Sequence, residues 1–165
     1  AVSYIYWLIT DGQPLPGENT LLGVEQLDNP HASAKYTALR HFTRFVRPGA
    51  QRLVTTFENG HATIHGASEY DALNGLSIAA FRHEADRTLT LVGLNMTSEN
   101  RRIAVSLPPA YNTDSDSGWV STANAHFETL PTRRLQDGSL IFELEPMSIA
   151  TVQTTASTNE GFSTQ

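Results

Sequence analysis

The chain has 165 residues, a formal net charge of −6 at pH 7 and a pI of about 5.4. This length suits one ordinary domain, whereas a complete (β/α)₈ barrel needs about 250 residues. The negative charge argues against a nucleic-acid partner because it repels phosphate backbones, and no apolar run is long enough to predict a membrane span. The absence of cysteine excludes structural disulfides and thiolate chemistry.

The chain opens on an apolar segment that predicts a strand. Ala1 to Ile9 (AVSYIYWLI) is rich in aromatic and β-branched residues, which is typical of a strand buried on both faces of a parallel sheet. The segment lacks a basic start, so it is not interpreted as a signal peptide. A long loop is predicted from Thr10 to Pro30, because breakers such as Asp11-Gly12 and Pro16-Gly17 interrupt it.

One helix is predicted after this loop. Ser33 is a candidate N-cap, and the segment from Ala34 to Val46 carries apolar residues that fall on one helical face. Pro48-Gly49 ends the helix, because proline and glycine together are strong helix terminators.

The remainder of the chain reads as short strands separated by turn signals. The candidates are Gln51 to Glu58, Leu76 to His83, Thr88 to Asn95, Arg101 to Leu107, Trp119 to Ala123, Ser139 to Leu144 and Ser148 to Thr154. Regularly spaced short strands are typical of an antiparallel β-sandwich or barrel. The lone strand and helix before them need an α/β sheet to bury their apolar faces, because a single β-then-α unit has no core of its own.

Four segments give the chain a family resemblance. Ser3 to Ile9 (SYIYWLI) resembles the eighth barrel strand of the family 30 glycoside hydrolases, and Lys35 to Gly49, ending FTRFVRPG, resembles their eighth helix. The stretch that closes on Val92 to Asn95 and the strand Pro146 to Val152 resemble their side sandwich. The resemblance implies a mainly β fold, an antiparallel sandwich preceded by the last strand and helix of a (β/α)₈ barrel. The predicted domains are the barrel unit 1–48, the sandwich 49–154 and a polar tail 155–165.

The resemblance also implies an activity that this chain lacks on its own. Members of the family hydrolyse β-linked polysaccharides such as xylan, or glycolipids, with retention, and are secreted when they act on polysaccharide. Their acid/base and nucleophile glutamates follow the fourth and seventh barrel strands, both upstream of Ala1. We therefore expect the chain to be the C-terminal part of a secreted hydrolase, with xylan as the first candidate substrate. It is expected to be inactive alone and to have the upstream barrel part as its partner. In the family the sandwich also takes one strand from before the barrel.

Three residues near the predicted eighth strand are candidate substrate contacts. Trp7 lies near the end of the strand, where the family places an aromatic residue under the scissile sugar, but a core tryptophan is an equal alternative. Asp11 could line the barrel mouth, although a turn residue in Asp11-Gly12 is the favoured interpretation. Gln13 could contact sugar hydroxyls from the long loop.

No metal site or cofactor is predicted. His61 and His65 would lie about 13 Å apart in an extended segment, too far for one ion. Asp114 and Asp116 lack the glutamate that completes a calcium loop and read as a polar turn. Asn95-Met96-Thr97 is an N-glycosylation sequon, so Asn95 is a candidate glycosylation site.

Two other functions stay open on the sequence alone. A non-catalytic carbohydrate-binding sandwich would need exposed aromatic residues in a row, and Tyr111, Trp119 and Phe127 are the candidates. A protein-interaction sandwich of immunoglobulin type lacks its cysteine and tryptophan pattern and rests on fold analogy. The apolar strand at Ala1 to Ile9 argues against both alternatives, because a free binding module does not need it.

Overall fold

The structure, a computed structural model, describes residues 22–24, 30–32, 34–58, 61–65, 72–73, 75–113 and 115–157. The chain divides into two compact units, Ala1–Arg40 and His41–Gln165. The predicted strand from Ala1 to Ile9 lies outside the described residues. In the part of the chain that is described, no helix is long and apolar enough to cross a membrane. The domain limits predicted from the sequence stay a prediction.

The first unit contains one strand inside the predicted loop from Thr10 to Pro30 and a second strand that begins at the last residue of that loop. Strand β1 (Leu22–Val24) pairs with β2 (Pro30–Ala32) in an antiparallel ladder. The loop prediction is therefore wrong at these positions. Each strand has three residues, which is too short for an alternating pattern to emerge above the surrounding breakers.

Helix α1 spans Ala34–Thr43 and ends three residues before the predicted end at Val46. The chain continues as a turn in which the amides of Phe45 and Val46 both donate to the Phe42 carbonyl, at 3.1 and 2.7 Å. Gly49 then adopts φ +91°, a left-handed conformation that glycine tolerates without strain. The helix terminators thus act as predicted, and only the last turn is looser.

The second unit is built from strands, and all seven predicted strands are present with bounds that shift by two residues at most. They are β3 (Gln51–Glu58), β6 (Leu76–His83), β7 (Thr88–Asn95), β8 (Arg101–Ser106), β9 (Ser117–Ser121), β12 (Leu140–Leu144) and β13 (Ser148–Thr155). The structure adds β4 (His61–His65), β5 (Ala72–Leu73), β10 (Glu128–Thr129) and β11 (Arg133–Arg134), and a short 3₁₀ helix at Pro109–Tyr111. The added strands were not predicted because most are two residues long.

These strands form two layers that meet at β3. The front sheet has the order β10-β9-β13-β7-β6-β3, with β5 also paired to β6, and the back sheet has the order β3-β4-β8-β12-β11. Residues Gln51–Leu53 of β3 pair with β6, and Val54–Glu58 pair with β4, so one strand serves both sheets. The ladder between β4 and β8 is parallel and the others are antiparallel. The predicted antiparallel sandwich is confirmed.

The core lies between the two layers. Alternate residues of the front sheet point inward, including Leu89 and Leu91 of β7, and meet Phe142 and Leu144 of β12. Gly93 continues this inward row, and a Cβ added there would lie 3.2 Å from Leu144 Cδ1. The layers therefore approach closely at Gly93, and the opposite side chains of the front sheet form a separate outer face.

Candidate functional site

The three predicted substrate contacts lie outside the described residues. Trp7, Asp11 and Gln13 all precede Leu22, where the described part of the chain begins. Their roles stay predictions. The functional surface that the structure does describe belongs to the second unit, residues His41–Gln165.

Of the carboxylates whose side chains the structure describes, one is enclosed by the fold. Asp116 is the enclosed one, with a side chain 7% exposed, and both its oxygens accept hydrogen bonds of 2.7 Å from Arg134. The others are exposed: Glu84, Asp86, Glu99, Glu128, Asp137, Glu143 and Glu145. Retaining hydrolysis needs two carboxyl groups about 5 Å apart with one kept as a proton donor. Asp116 is committed to Arg134, so it does not fit that role. Likewise, the described residues contain no cluster that could hold a metal ion.

The three aromatic residues that a carbohydrate platform would need are engaged within the fold. Tyr111 is 2% exposed, and burial raises the pKa of its hydroxyl, which keeps it neutral. The Trp119 ring packs on Phe45 with ring centroids 4.4 Å apart. Phe127 stacks on His41 at 4.3 Å. These three side chains therefore do not form an exposed row.

His41 is the centre of a polar cluster on the outer face of the front sheet. The side chain is fully buried, and its Nδ1 lies 2.9 Å from Thr151 Oγ1 on β13. Its Nε2 lies 2.8 Å from Ser121 Oγ on β9. Phe127 covers the ring and has φ +56°, a left-handed conformation rare for a bulky residue. His41 is thereby fixed to two neighbouring strands, β13 and β9.

The hydrogen-bond donors of this cluster indicate one imidazole tautomer. The Thr151 hydroxyl donates to the His41 carbonyl at 3.2 Å, so its oxygen is left to accept from Nδ1–H. The Ser121 hydroxyl accepts from the Phe127 amide at 2.9 Å, so its proton is left for Nε2. A neutral ring that carries its proton on Nδ1 satisfies every group. The cluster is thus a structural anchor whose hydrogen bonds are all used within the fold.

Replacing His41 with alanine is expected to lower the free energy of unfolding by about 2–4 kcal/mol. The change removes a buried ring and leaves two hydroxyl groups without their partner. Chemical denaturation monitored by tryptophan fluorescence measures the loss. His126→Ala is the matched control, because His126 is exposed, and it should stay within about 0.5 kcal/mol of the wild type. Equal effects of the two variants would refute the anchor role.

Two open grooves lie on the surface of the second unit, one beside the His41 cluster and the other beside strand β12 of the back sheet. The outer groove has a volume of about 280 Å³ and lies on the outer face of the front sheet. It is lined by Phe42, Arg52, Ser77, Ala79, Phe81, Val92, Leu94 and Ile149. Apart from Arg52 and Ser77, these residues are apolar. The groove therefore presents a mainly apolar lining to solvent.

The edge groove has a volume of about 620 Å³ and runs beside β12. Its lining includes the charged residues Arg102, Glu128, Arg133, Glu143 and Glu145. Strand β11 pairs with Leu140 and Ile141 only, so within the described ranges no strand pairs with the free edge of Phe142–Leu144. An open strand edge is a template for pairing with another extended segment.

Asn95 is the residue of the glycosylation sequon, and it is fully buried. Its Nδ2 donates to the carbonyls of Glu99, Leu144 and Glu145, at 2.9, 3.2 and 2.8 Å. Its Oδ1 accepts from the amide and hydroxyl of Thr97. A glycan would be attached through Nδ2 and would have to displace this network. Glycosylation stays a sequence prediction, and the structure gives Asn95 a packing role.

Comparisons with known proteins bear on the fold. No family sequence profile matches the chain, and no curated protein matches it in sequence. The catalytic domain of a family 30 xylanase C from Talaromyces cellulolyticus matches with a TM-score of 0.63 and 19% identity, over 84% of this chain and 28% of that one. A family 30 subfamily 8 xylanase from Clostridium acetobutylicum matches with a TM-score of 0.62 and 15% identity, over 84% and 31% of the two chains.

A family 30 endoxylanase from Clostridium papyrosolvens is similar as well, with a TM-score of 0.56 and 17% identity over 76% of this chain and 28% of that one. The chain therefore spans less than a third of the length of these solved proteins. At sequence identities this low, the structural similarity shows a shared fold. The resemblance predicted from the sequence is therefore confirmed for the fold. The chain has the fold of a C-terminal-like portion of the family 30 glycoside hydrolases.

Proposed function

We propose that the chain is the C-terminal part of a secreted, retaining glycoside hydrolase that acts on a β-linked polysaccharide, with xylan as the first candidate. Its role is structural, because it braces a catalytic barrel and contributes no acid/base or nucleophile. The observation that carries the proposal is the match to family 30 xylanases over 84% of the chain. The commitment of Asp116 to Arg134 supports the structural role.

The proposed partner is the upstream barrel part of the same enzyme. The outer groove supports this partner, since Phe42 in its lining directly follows His41, which is hydrogen-bonded to the front sheet. The free edge of β12 supports it as well, because the resemblance implies a sandwich strand that comes from before the barrel. Both surfaces face outward from the sandwich core and are available to a partner.

Reducing-sugar release tests the proposal. The purified chain is expected to release none from glucuronoxylan, β-1,6-glucan or β-1,6-galactan, because retaining hydrolysis needs two carboxyl groups and the resemblance places both catalytic glutamates upstream of Ala1. Tryptophan fluorescence and a cooperative melt serve as the folding control. Turnover on any of the three polymers that is lost in Asp116→Asn would assign catalysis to this chain and contradict the structural role.

A further inference from the structure

We propose that the outer groove is an anchor pocket for one aromatic side chain of the upstream barrel part, with a carboxylate beside it that pairs with Arg52. This inference rests on the proposed function for the identity of the partner and goes beyond it in the chemistry of the contact. The shape of the groove, its one charge and its position next to the His41 cluster support the proposal.

The register of the front sheet builds the groove from one face. Arg52 pairs with Phe81, Ala79 with Val92, and Leu94 with Ile149, so these side chains project from the same side of four neighbouring strands. Phe42 forms one wall and meets Phe81 edge to face, with ring centroids 6.1 Å apart. The two rings and the aliphatic side chains of the strands line the outer groove.

The volume of the outer groove limits how large a side chain can occupy it. A cavity of about 150 Å³ with apolar walls is enough to hold benzene. The outer groove has about 280 Å³, so it accepts one aromatic side chain with room for part of its neighbour. Interfaces concentrate their binding energy in such pockets, where an aromatic residue of the partner is fully desolvated. A single anchor residue fits this description better than an extended apolar surface.

The positive charge of Arg52 favours an occupant that carries a negative charge. It is exposed at the end of the groove, and none of the described residues forms an ion pair with its guanidinium. Among the described residues that line the groove, Arg52 is the one that carries a charge. A carboxylate next to the anchor side chain would neutralise Arg52, and the guanidinium geometry favours a paired contact.

The position of the groove favours the barrel part over a second copy of the chain. Phe42 and His41 are neighbours in helix α1, so the groove is continuous with the surface that the end of the helix already covers. The chain also spans only 28% of the Talaromyces enzyme, which leaves most of the fold to supply the occupant. A two-fold dimer through this groove would bring two Arg52 side chains into one interface whose described lining residues include no carboxylate, and like charges would oppose the contact.

The test uses two small probes that differ in charge. In ¹⁵N-correlation spectra of the folded chain, 3-phenylpropionate supplies the ring and the carboxylate, and 3-phenylpropan-1-ol supplies the ring alone. The acid is expected to bind more tightly and to shift the amides of Ser77, Ala79 and Leu94. Arg52→Gln should weaken binding of the acid about threefold to fivefold and leave the alcohol unchanged. Arg47→Gln, at an exposed arginine outside the groove lining, should change neither affinity.

Filling the groove gives a second arm. Ala79→Phe, or Ala79→Leu if the larger residue disturbs folding, should abolish binding of both probes while the cooperative melt is retained. Three results would overturn the proposal: no saturable shift, equal binding of acid and alcohol, or self-association by light scattering that Ala79→Phe removes, since the occupant would then be a second copy. Reducing-sugar release does not depend on any of these results, so the proposed function is tested separately from the anchor pocket.

Discussion

Replacing Asn95 with aspartate is expected to destabilise the second unit by about 4 kcal/mol at neutral pH. Asparagine and aspartate have the same shape, so the variant changes only the atom that faces the carbonyls of Glu99, Leu144 and Glu145. A donor becomes a buried carboxylate oxygen that opposes three acceptors, and such a group carries its full desolvation cost. Urea denaturation of the two proteins measures the difference.

The pH dependence separates this mechanism from a general packing defect. Burial against carbonyl oxygens raises the pKa of the introduced carboxyl, so its neutral form is favoured in the folded state. The stability deficit should therefore be smaller at about pH 4 than at neutral pH, because the protonated group can donate one hydrogen bond. Asn100→Asp is the control, since Asn100 is exposed, and it should show little change. A deficit independent of pH would point to packing.

The pattern of longer strands was predictable because the sandwich has one dry face and one outer face. In β7 the inward residues Leu89 and Leu91 alternate with Thr90, and such alternation identifies a strand without any knowledge of its partner. The strands β10 and β11 have two residues each, and only their pairing to β9 and β12 defines them. Short segments carry no periodicity, so their structure depends on contacts distant in the chain.

The polar clusters were not predictable for the same reason. His41 contacts Thr151 and Ser121, which are 110 and 80 residues away, and nothing local marks a histidine on a helix as buried. Asp116 was interpreted as part of a polar turn, and the structure places it in an ion pair with Arg134, 18 residues later. The family resemblance indicated where the helix and the sandwich lie, but not which polar groups hold them.

The outer groove shows what pattern and structure contribute together. Phe42 is one of the apolar residues in the predicted helix Ala34 to Val46, and 37% of it is exposed in the structure. An apolar position that the fold leaves exposed is what a docking surface requires.

Replacing Arg134 with methionine is expected to lower the free energy of unfolding by about 3–5 kcal/mol, because it leaves the Asp116 carboxylate enclosed without its partner. The Arg134 side chain is 13% exposed, and its guanidinium also donates to the carbonyls of Tyr111 and Gly138, each at 3.0 Å. The variant therefore removes the hydrogen bonds that connect Asp116, Tyr111 and Gly138 through one side chain. Arg133→Met is the control, since its side chain is exposed on the same strand.

The double variant Arg134→Met, Asp116→Leu distinguishes two causes of the lost stability. One is the unpaired Asp116 carboxylate, and the other is the loss of the hydrogen bonds from Arg134 to the two carbonyls. Removing the carboxylate as well should recover a large part of the stability, because a buried ion pair contributes little net energy compared with apolar residues of similar volume. If the double variant is as unstable as Arg134→Met alone, the carbonyl contacts carry the effect. Since typical domains are stable by only about 5–15 kcal/mol, either cause is large enough to be resolved by denaturant titration.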